Sequence, residues 1–191
     1  MSTLLVDTSL LRVELIPDSN APCPLEDEPF TLASWAANVP STVARPSDTP
    51  ASWAAAWHAA HPDGELRPLW AYRHGAIALR CAPDRNATGF PDPLWDVGFV
   101  GYVVLSAETV RAEWDGDWTR AWAYVDAVLR VLEQWLNGDV WGYRILRPDA
   151  TGTAWAVADS CYGFFGDDWT TNGMINAWPT DVRAAVRVAG A

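Results

Sequence analysis

The sequence contains no lysine. All thirteen basic residues are arginine, and they face 24 acidic residues, which gives a formal net charge of -11. Proteins that bind nucleic acid neutralise phosphates with a basic stripe, whereas these arginines are scattered and outnumbered. We therefore expect no direct binding of DNA or RNA. An acidic surface favours instead a basic protein partner, which it attracts electrostatically.

Cysteines and long apolar runs are also scarce. The three cysteines, Cys23, Cys81 and Cys161, lie far apart and form no C-x-x-C pair, so the spacing favours neither a disulfide framework nor a zinc ribbon. No apolar run approaches the length of a membrane span. Asp7 interrupts the apolar residues near the N-terminus, and no basic segment precedes them, so we expect no signal peptide. These features predict a cytoplasmic protein.

Motifs that hold metals or cofactors are missing as well. The chain has no phosphate-binding glycine loop, no G-x-S-x-G and no dinucleotide fingerprint. His58 and His61 are three residues apart, but the helix-breaking Pro62 follows and no third nitrogen or sulfur ligand completes the pattern. We therefore expect no metal and no cofactor.

What the sequence does contain is half apolar residues, enough for a sizeable core, and thirteen tryptophans. Residues 10–16 alternate as in a strand, and a proline-rich connection follows over 17–50, with a short strand at 31–35 as an option. The pair Thr49-Pro50 predicts the start of a helix that ends near residue 60. We therefore expect residues 1–70 to be an irregular N-terminal portion with one strand and one helix.

The rest of the chain is more regular and predicts an α+β core over residues 71–191. Strands and helices alternate irregularly, which favours a mainly antiparallel sheet with helices packed on one face, in one compact domain. The predicted strands are 69–81 (one strand or two), 98–105, 140–146 and 153–161. The predicted helices run from Ser106 to about Trp114, from Trp118 to Leu136, from Asn172 to Trp178 and from Thr180 to Val188.

Four runs of aromatic, glycine and acidic residues resemble the motifs of a known protein family. They are Tyr72–Leu79, Trp95–Tyr102, Leu136–Tyr143 and Asp159–Gly166. The family, which has no known activity, is carried by bacteriophages and conjugative elements, and its members show patterns close to H-x-G-I, W-D-S-G-x-x-G, G-D-V-Y-G-Y and D-S-C-W-G-F-Y-G. The resemblance covers residues 72–174. It implies an accessory gene of a mobile element that is expressed in the cytoplasm of a bacterial host.

The residue types in these runs include candidates for catalysis, namely His74, Asp96, Asp159 and Cys161. A thiolate with a histidine and a carboxylate nearby is the minimum for nucleophilic catalysis. The structural alternatives are that Cys161 is a small buried hydrophobic residue and that Asp96 holds its loop by accepting backbone hydrogen bonds.

The same runs predict a binding surface. Adjacent strands of one sheet would bring together the strand ends that carry Trp95, Asp96, Trp141, Asp159 and Cys161, and Tyr162 lies beside them. Such a cluster is either a closed, dry folding nucleus or an open pocket. We take five of these residues as binding candidates: Trp95, Asp96, Trp141, Asp159 and Tyr162.

Three functional hypotheses follow. The first is an accessory protein of a phage or mobile element that binds a host protein, basic or nucleic-acid-binding, and inhibits a defence system such as restriction or CRISPR machinery. Its acidic surface would carry exposed tryptophan and arginine, the residues enriched at binding hot spots. The second is a small enzyme that uses Cys161 or Asp96 with His74. The third is a minor structural protein of the virion. The sequence indicates no oligomeric state.

Overall fold

The computed structural model describes residues 2–189, which form eight strands and five helices. The strands are β1 (Thr3–Asp7), β2 (Arg12–Pro17), β3 (Thr31–Ser34), β4 (Glu65–His74), β5 (Ala76–Cys81), β6 (Val97–Leu105), β7 (Val140–Pro148) and β8 (Trp155–Phe165). The helices are α1 (Pro50–Ala60), α2 (Ala107–Trp114), α3 (Trp118–Leu136), α4 (Met174–Ala177) and α5 (Thr180–Ala189).

Local side-chain hydrogen bonds fix where the helices begin. The Thr49 hydroxyl accepts the backbone N–H of Ser52 at the start of α1, and the Asp117 carboxylate accepts that of Arg120 at the start of α3. Each bond satisfies one of the amides that a helix leaves without an internal partner. The helix starts predicted from the sequence at Thr49 and Asp117 are therefore confirmed.

The strands form two antiparallel sheets, and the α+β class predicted from the sequence is confirmed. One sheet has the order β1-β2-β7-β8 and the other the order β3-β6-β4-β5. The segment predicted as one or two strands at 69–81 is the hairpin β4–β5. Strand β1 is absent from the predictions, because its five residues bury only Val6 and show no clear alternation.

The chain divides into two compact units, which are described separately below. Residues 1–22 and 138–191 form the terminal unit, and residues 23–137 form the central unit. This division differs from the predicted boundary at residue 70. The reason is long-range pairing: Glu14 of β2 lies beside Arg144 of β7, 130 positions later, so the first strands belong with the end of the chain.

The core of the central unit lies between its sheet and the helices α2 and α3. Leu69, Leu79 and Val103 of the sheet are fully or almost fully buried, as are Leu129 and Leu132 of α3. These apolar positions on α3 recur at the spacing of one helical face. Half-buried aromatic rings form a separate group in this unit: Trp35, Trp53, Phe99 and Tyr102.

The core of the terminal unit lies between its sheet and the last two helices. Val13 of β2 and Ile145 of β7 pack in one cluster with Trp178 and with Val182 of α5. Strand β8 contributes little to this core, since of its residues only Phe164 packs against the cluster. Strand β8 therefore lies at the exposed side of the sheet.

Candidate functional site

The predicted site residues fall into two groups. His74, Trp95 and Asp96 belong to the central unit, whereas Trp141, Asp159, Cys161 and Tyr162 belong to the terminal unit. The prediction that adjacent strands of one sheet join all of these strand ends is wrong. Strand β6 belongs to the sheet of the central unit, while β7 and β8 belong to that of the terminal unit. Each group is therefore a separate candidate.

In the central unit, His74 and Asp96 are in contact. The Nδ1 atom of His74 lies 3.1 Å from Oδ2 of Asp96, and the backbone N–H of Arg73 donates to the Asp96 carbonyl at 2.9 Å. The His74 ring stacks on Tyr72 and remains 73 % exposed. The carboxylate orients the imidazole, as in many catalytic pairs. Among residues 2–189, however, no serine, threonine or cysteine side chain is hydrogen-bonded to that ring.

Trp95 lies next to this pair and is almost fully exposed. Trp95 is 88 % accessible and Leu94 is 70 % accessible, so the loop before β6 presents two large apolar groups to solvent. Of the two alternatives left open by the sequence, a closed, dry nucleus is therefore wrong for Trp95. The exposure arises because Trp95 precedes the strand, in a turn whose Asp92 has a positive φ of 48°.

In the terminal unit, Asp159, Cys161 and Tyr162 lie on the edge strand β8, whereas Trp141 lies on the neighbouring β7. Eight consecutive residues, 156–163, are exposed. They include Val157 and Tyr162, which are 54 % and 48 % accessible, and Cys161, so the expectation that Cys161 is buried is wrong. The strand contains no lysine, arginine or proline, and Asp159 is its single charge. Natural edge strands usually carry such residues to prevent further pairing.

One side of β8 is bonded to β7, and the other has no partner strand within residues 2–189. Outside the ladder with β7, one side chain contacts the backbone of the strand: the Cys161 thiol lies 3.8 Å from the Tyr162 carbonyl oxygen. In a regular strand, backbone N–H and C=O groups alternate between the two sides. Strand β8 therefore presents a row of backbone donors and acceptors to solvent.

The sheet of the central unit is different, because side chains cover its edges. On β5, the backbone N–H of Leu79 donates to the Glu133 carboxylate at 2.5 Å. The N–H of Ile77 donates to Oδ1 of Asn137 at 2.8 Å, and Nδ2 of Asn137 donates to the Ile77 carbonyl at the same distance. Two side chains at the end of α3 thus take the place of a neighbouring strand.

Strand β3, at the opposite edge of that sheet, is covered in the same way. The backbone N–H of Leu32 donates to the Thr42 hydroxyl at 2.9 Å, and that of Ser34 donates to the Ser41 hydroxyl at 3.3 Å. In the terminal unit, the other edge strand, β1, has only five residues and an irregular register between Leu4 and Val6. The edge of β8 is thus the long, uncovered one among the described strands.

Tyr143 links β8 to the covered face of its sheet. Its hydroxyl donates to Oδ2 of Asp159 at 3.3 Å. Burial, together with the nearby Asp159 and Cys161, raises the pKa of Tyr143 to about 12. The phenol therefore stays protonated and keeps donating to Asp159 at neutral pH. This bond adds a side-chain contact at the middle of β8 to the backbone pairing with β7.

The ionisation of Cys81 is shifted, but this residue is not a candidate nucleophile. Burial raises the pKa of Cys81 to about 12, and nearby Asp126 acts in the same direction. A thiol with such a pKa is almost entirely protonated at neutral pH and is a poor nucleophile.

Within the described part of the chain, no group of three or more histidine, cysteine, aspartate or glutamate side chains is placed to hold a metal ion. His61 stacks on Trp57 instead, with its Nδ1 atom 3.1 Å from the Trp57 carbonyl oxygen. Among residues 2–189 there is also no helix both long and apolar enough to cross a lipid bilayer.

Asp159, Cys161 and Tyr162 are candidates on the basis of the sequence, but the property that they share, a position on an open edge strand, is visible only in the fold. The signal was present in the run 155–165, which lacks the residues that normally block an edge. This signal identifies an edge strand only when the strand order is known, since a central strand of a sheet also lacks charged residues and proline.

Comparisons with models of protein families, with curated proteins and with solved structures find no match to this chain.

Proposed function

We propose that this chain acts by binding another protein, and that the exposed edge of β8 is its binding site. The observation that carries the proposal is the contrast between edges. Side chains cover β3 and β5, whereas eight consecutive residues of the longest strand, β8, are exposed beside an edge without a partner. An extended segment of a partner can add to such an edge as a further strand.

The chemistry of the edge indicates what this segment looks like. Backbone hydrogen bonds to β8 supply affinity for any extended peptide, and side chains beside Val157 and Tyr162 supply selectivity. The net charge of -11 and the carboxylate of Asp159 favour a segment with basic residues. The same charge opposes pairing with a second copy of the chain.

The biological setting comes from the family resemblance, which implies a gene of a phage or conjugative element. We propose that the protein works in the cytoplasm of a bacterial host, where its partner is a basic or nucleic-acid-binding host protein. Components of restriction or CRISPR systems fit this description, and occupation of such a protein by an acidic chain would inhibit defence. The acidity and the open edge support this proposal.

A matched pair of variants tests the role of the edge. Val157→Lys places a charge on β8, where it should prevent strand addition. Val188→Lys makes the same change at a position of α5 that is 79 % exposed, in the same unit but off the sheet. The tagged wild-type chain and both variants are incubated with host lysate at low and at raised salt, and retained proteins are identified by mass spectrometry.

We expect a basic protein that the wild type and Val188→Lys retain, that Val157→Lys loses, and that raised salt releases. Protection of the β8 amides from hydrogen exchange in the purified complex would locate the contact. If the wild type retains no host protein at low salt, or if Val157→Lys retains the partner as well as Val188→Lys does, the proposal is wrong.

The second candidate is an enzyme centred on His74 and Asp96, favoured by the 3.1 Å contact between these side chains. It would act by general base catalysis on a bound substrate or water, since Cys161 lies in the other unit. A panel of ester, amide and phosphate substrates tests it. Turnover that Asp96→Asn reduces at least tenfold, with unchanged stability, would establish this function, and no turnover by the wild type would refute it.

A further inference from the structure

A small cavity in the terminal unit has an unusual combination of walls. It has a volume of about 290 Å³ and opens to solvent at one end of the sheet, near the first turn after β8. Its lining residues are Thr3, Leu5, Leu15, Trp141, Asp167 and Trp169. Two indole rings, two leucines and a threonine thus line the cavity together with one solvent-exposed aspartate. The volume is near the lower end for ligand pockets and suits a single side chain.

The two tryptophans are held in place by their own neighbours. The Nε1–H of Trp141 donates to Oδ1 of Asp139 at 2.8 Å. The ring of Trp169 stacks on Trp178 with 5.3 Å between centroids, and Trp178 is only 2 % exposed. The aromatic walls are therefore fixed by existing contacts, and a ligand needs to order little when it enters.

Asp167 differs from every other aspartate and glutamate that the structure describes in its unit. It makes no hydrogen bond through its side chain and no ion pair with any of residues 2–189. The neighbouring Asp168, by contrast, accepts bonds from Thr170 and Thr171. The other carboxylates of the unit that accept at least one hydrogen bond are Asp7, Glu14, Asp18, Asp139, Asp149, Asp159 and Asp181.

We infer that this cavity binds a basic side chain, most suitably the guanidinium of arginine, from the partner protein. The faces of indole rings attract cations, and a carboxylate completes the recognition with a charge-assisted hydrogen bond. A neutral apolar group would form no ion pair with Asp167, which is exposed to solvent and carries the charge that a guanidinium can pair with. A metal ion would find one carboxylate and no histidine or cysteine in the lining.

This inference rests on the proposed function, because it assigns one anchor of the partner that pairs with β8. It also supplies a reason for the basic character of that partner beyond the net charge. The indole rings and the carboxylate together select a flat, positively charged side chain. The backbone edge of β8 cannot make this selection, because its hydrogen bonds are the same for any extended peptide.

The experiment uses small probes and the full chain, without the partner. Acetyl-arginine-amide is titrated into the ¹⁵N-labelled protein, and the indole N–H signals of Trp141 and Trp169 are followed by NMR. Acetyl-norleucine-amide serves as the neutral probe and methylguanidinium as the free cation. The variants are Asp167→Asn and, as a control with the same loss of charge in the same unit, Asp7→Asn.

We expect the arginine probe to shift both indole signals saturably, and the norleucine probe to leave them unchanged. Asp167→Asn should weaken binding about tenfold, since a charge-assisted hydrogen bond is lost. Asp7→Asn should change it by less than about twofold, because Asp7 does not line the cavity and its carboxylate is already paired with Arg12. Val157→Lys, which should abolish partner binding, should leave the arginine probe bound as tightly as in the wild type.

Three results would overturn the inference. Equal binding of the two amides would show that charge is not recognised. If Asp167→Asn binds the arginine probe as tightly as the wild type does, or if this probe causes no saturable shift, the cavity is not a binding site for arginine. Methylguanidinium binding as tightly as the arginine probe would assign the cavity to a free small cation. None of these results affects strand addition at β8, which the lysate experiment tests by itself.

Discussion

Replacement of Glu133 by alanine should leave a buried backbone amide of β5 without its hydrogen-bond acceptor. The Glu133 carboxylate accepts the backbone N–H of Leu79 at 2.5 Å and the guanidinium of Arg80 at 3.0 Å. Its side chain is 17 % exposed, and Leu79 is 1 % exposed. In Glu133→Ala the amide of Leu79 therefore keeps its burial and loses its acceptor.

The magnitude follows from these two contacts. A buried donor without an acceptor costs about 1–3 kcal/mol. Loss of the exposed ion pair with Arg80 adds less than about 1 kcal/mol, because water screens it. We expect the free energy of unfolding of the central unit to fall by about 2–3 kcal/mol. Glu133→Gln keeps an oxygen acceptor and loses only the charge, so its cost should be about 1 kcal/mol.

Urea unfolding followed by circular dichroism gives these differences, and hydrogen exchange reports the Leu79 amide directly. Glu113→Ala is the control, since Glu113 is an exposed glutamate of α2 and its loss should cost less than about 0.5 kcal/mol. If Glu133→Ala costs no more than this control and leaves exchange at Leu79 unchanged, the side chain does not close β5. The difference between a covered β5 edge and an uncovered β8 edge, on which the proposed function depends, would then not hold.

Two further predictions concern ionisable groups. The pKa of Tyr143 is raised to about 12, above its value of about 10 in an unfolded chain, so its contribution to stability is complete below pH 10 and is lost as the pH rises to 12. Between pH 8 and pH 11 the loss should be about 1–1.5 kcal/mol in the wild type, because pH 11 lies only one unit above the unfolded pKa, and it should be smaller by that amount in Tyr143→Phe. Urea unfolding at these two pH values measures the difference; equal losses would contradict the buried phenol. The thiol of Cys161 is exposed, whereas the raised pKa of Cys81 keeps that thiol protonated, so a thiol reagent at pH 8 should modify Cys161 first. Peptide mapping identifies the modified residue, and faster labelling of Cys81 would contradict the structure.

Most elements could be predicted from the sequence because their causes are local. The apolar face of α3 and the capping residues Thr49 and Asp117 act within a few positions along the chain. The division into two sheets could not be predicted, since it depends on pairing between β2 and β7 across more than a hundred residues. Alternation of side chains identifies a strand but does not name its neighbour.

The candidate sites divide in the same way. The sequence grouped His74 with Asp96, and these side chains are in contact. The openness of β8 could not be predicted, because an edge is a property of the strand order. Asp167 and Asp168 are adjacent aspartates that the sequence does not distinguish. Only the fold shows that Asp168 accepts hydrogen bonds from threonines while Asp167 lines the cavity.

The most direct test of the central claim is amide hydrogen exchange of the chain, alone and with the host protein that it retains. Strand addition requires that outward-facing amides within residues 156–163 become bonded. We predict that their exchange slows at least tenfold in the complex, while the amides of β5, already bonded to α3, change little. Unchanged exchange in β8, with protection confined to the loop around Trp95, would contradict the account and place the interface on the central unit.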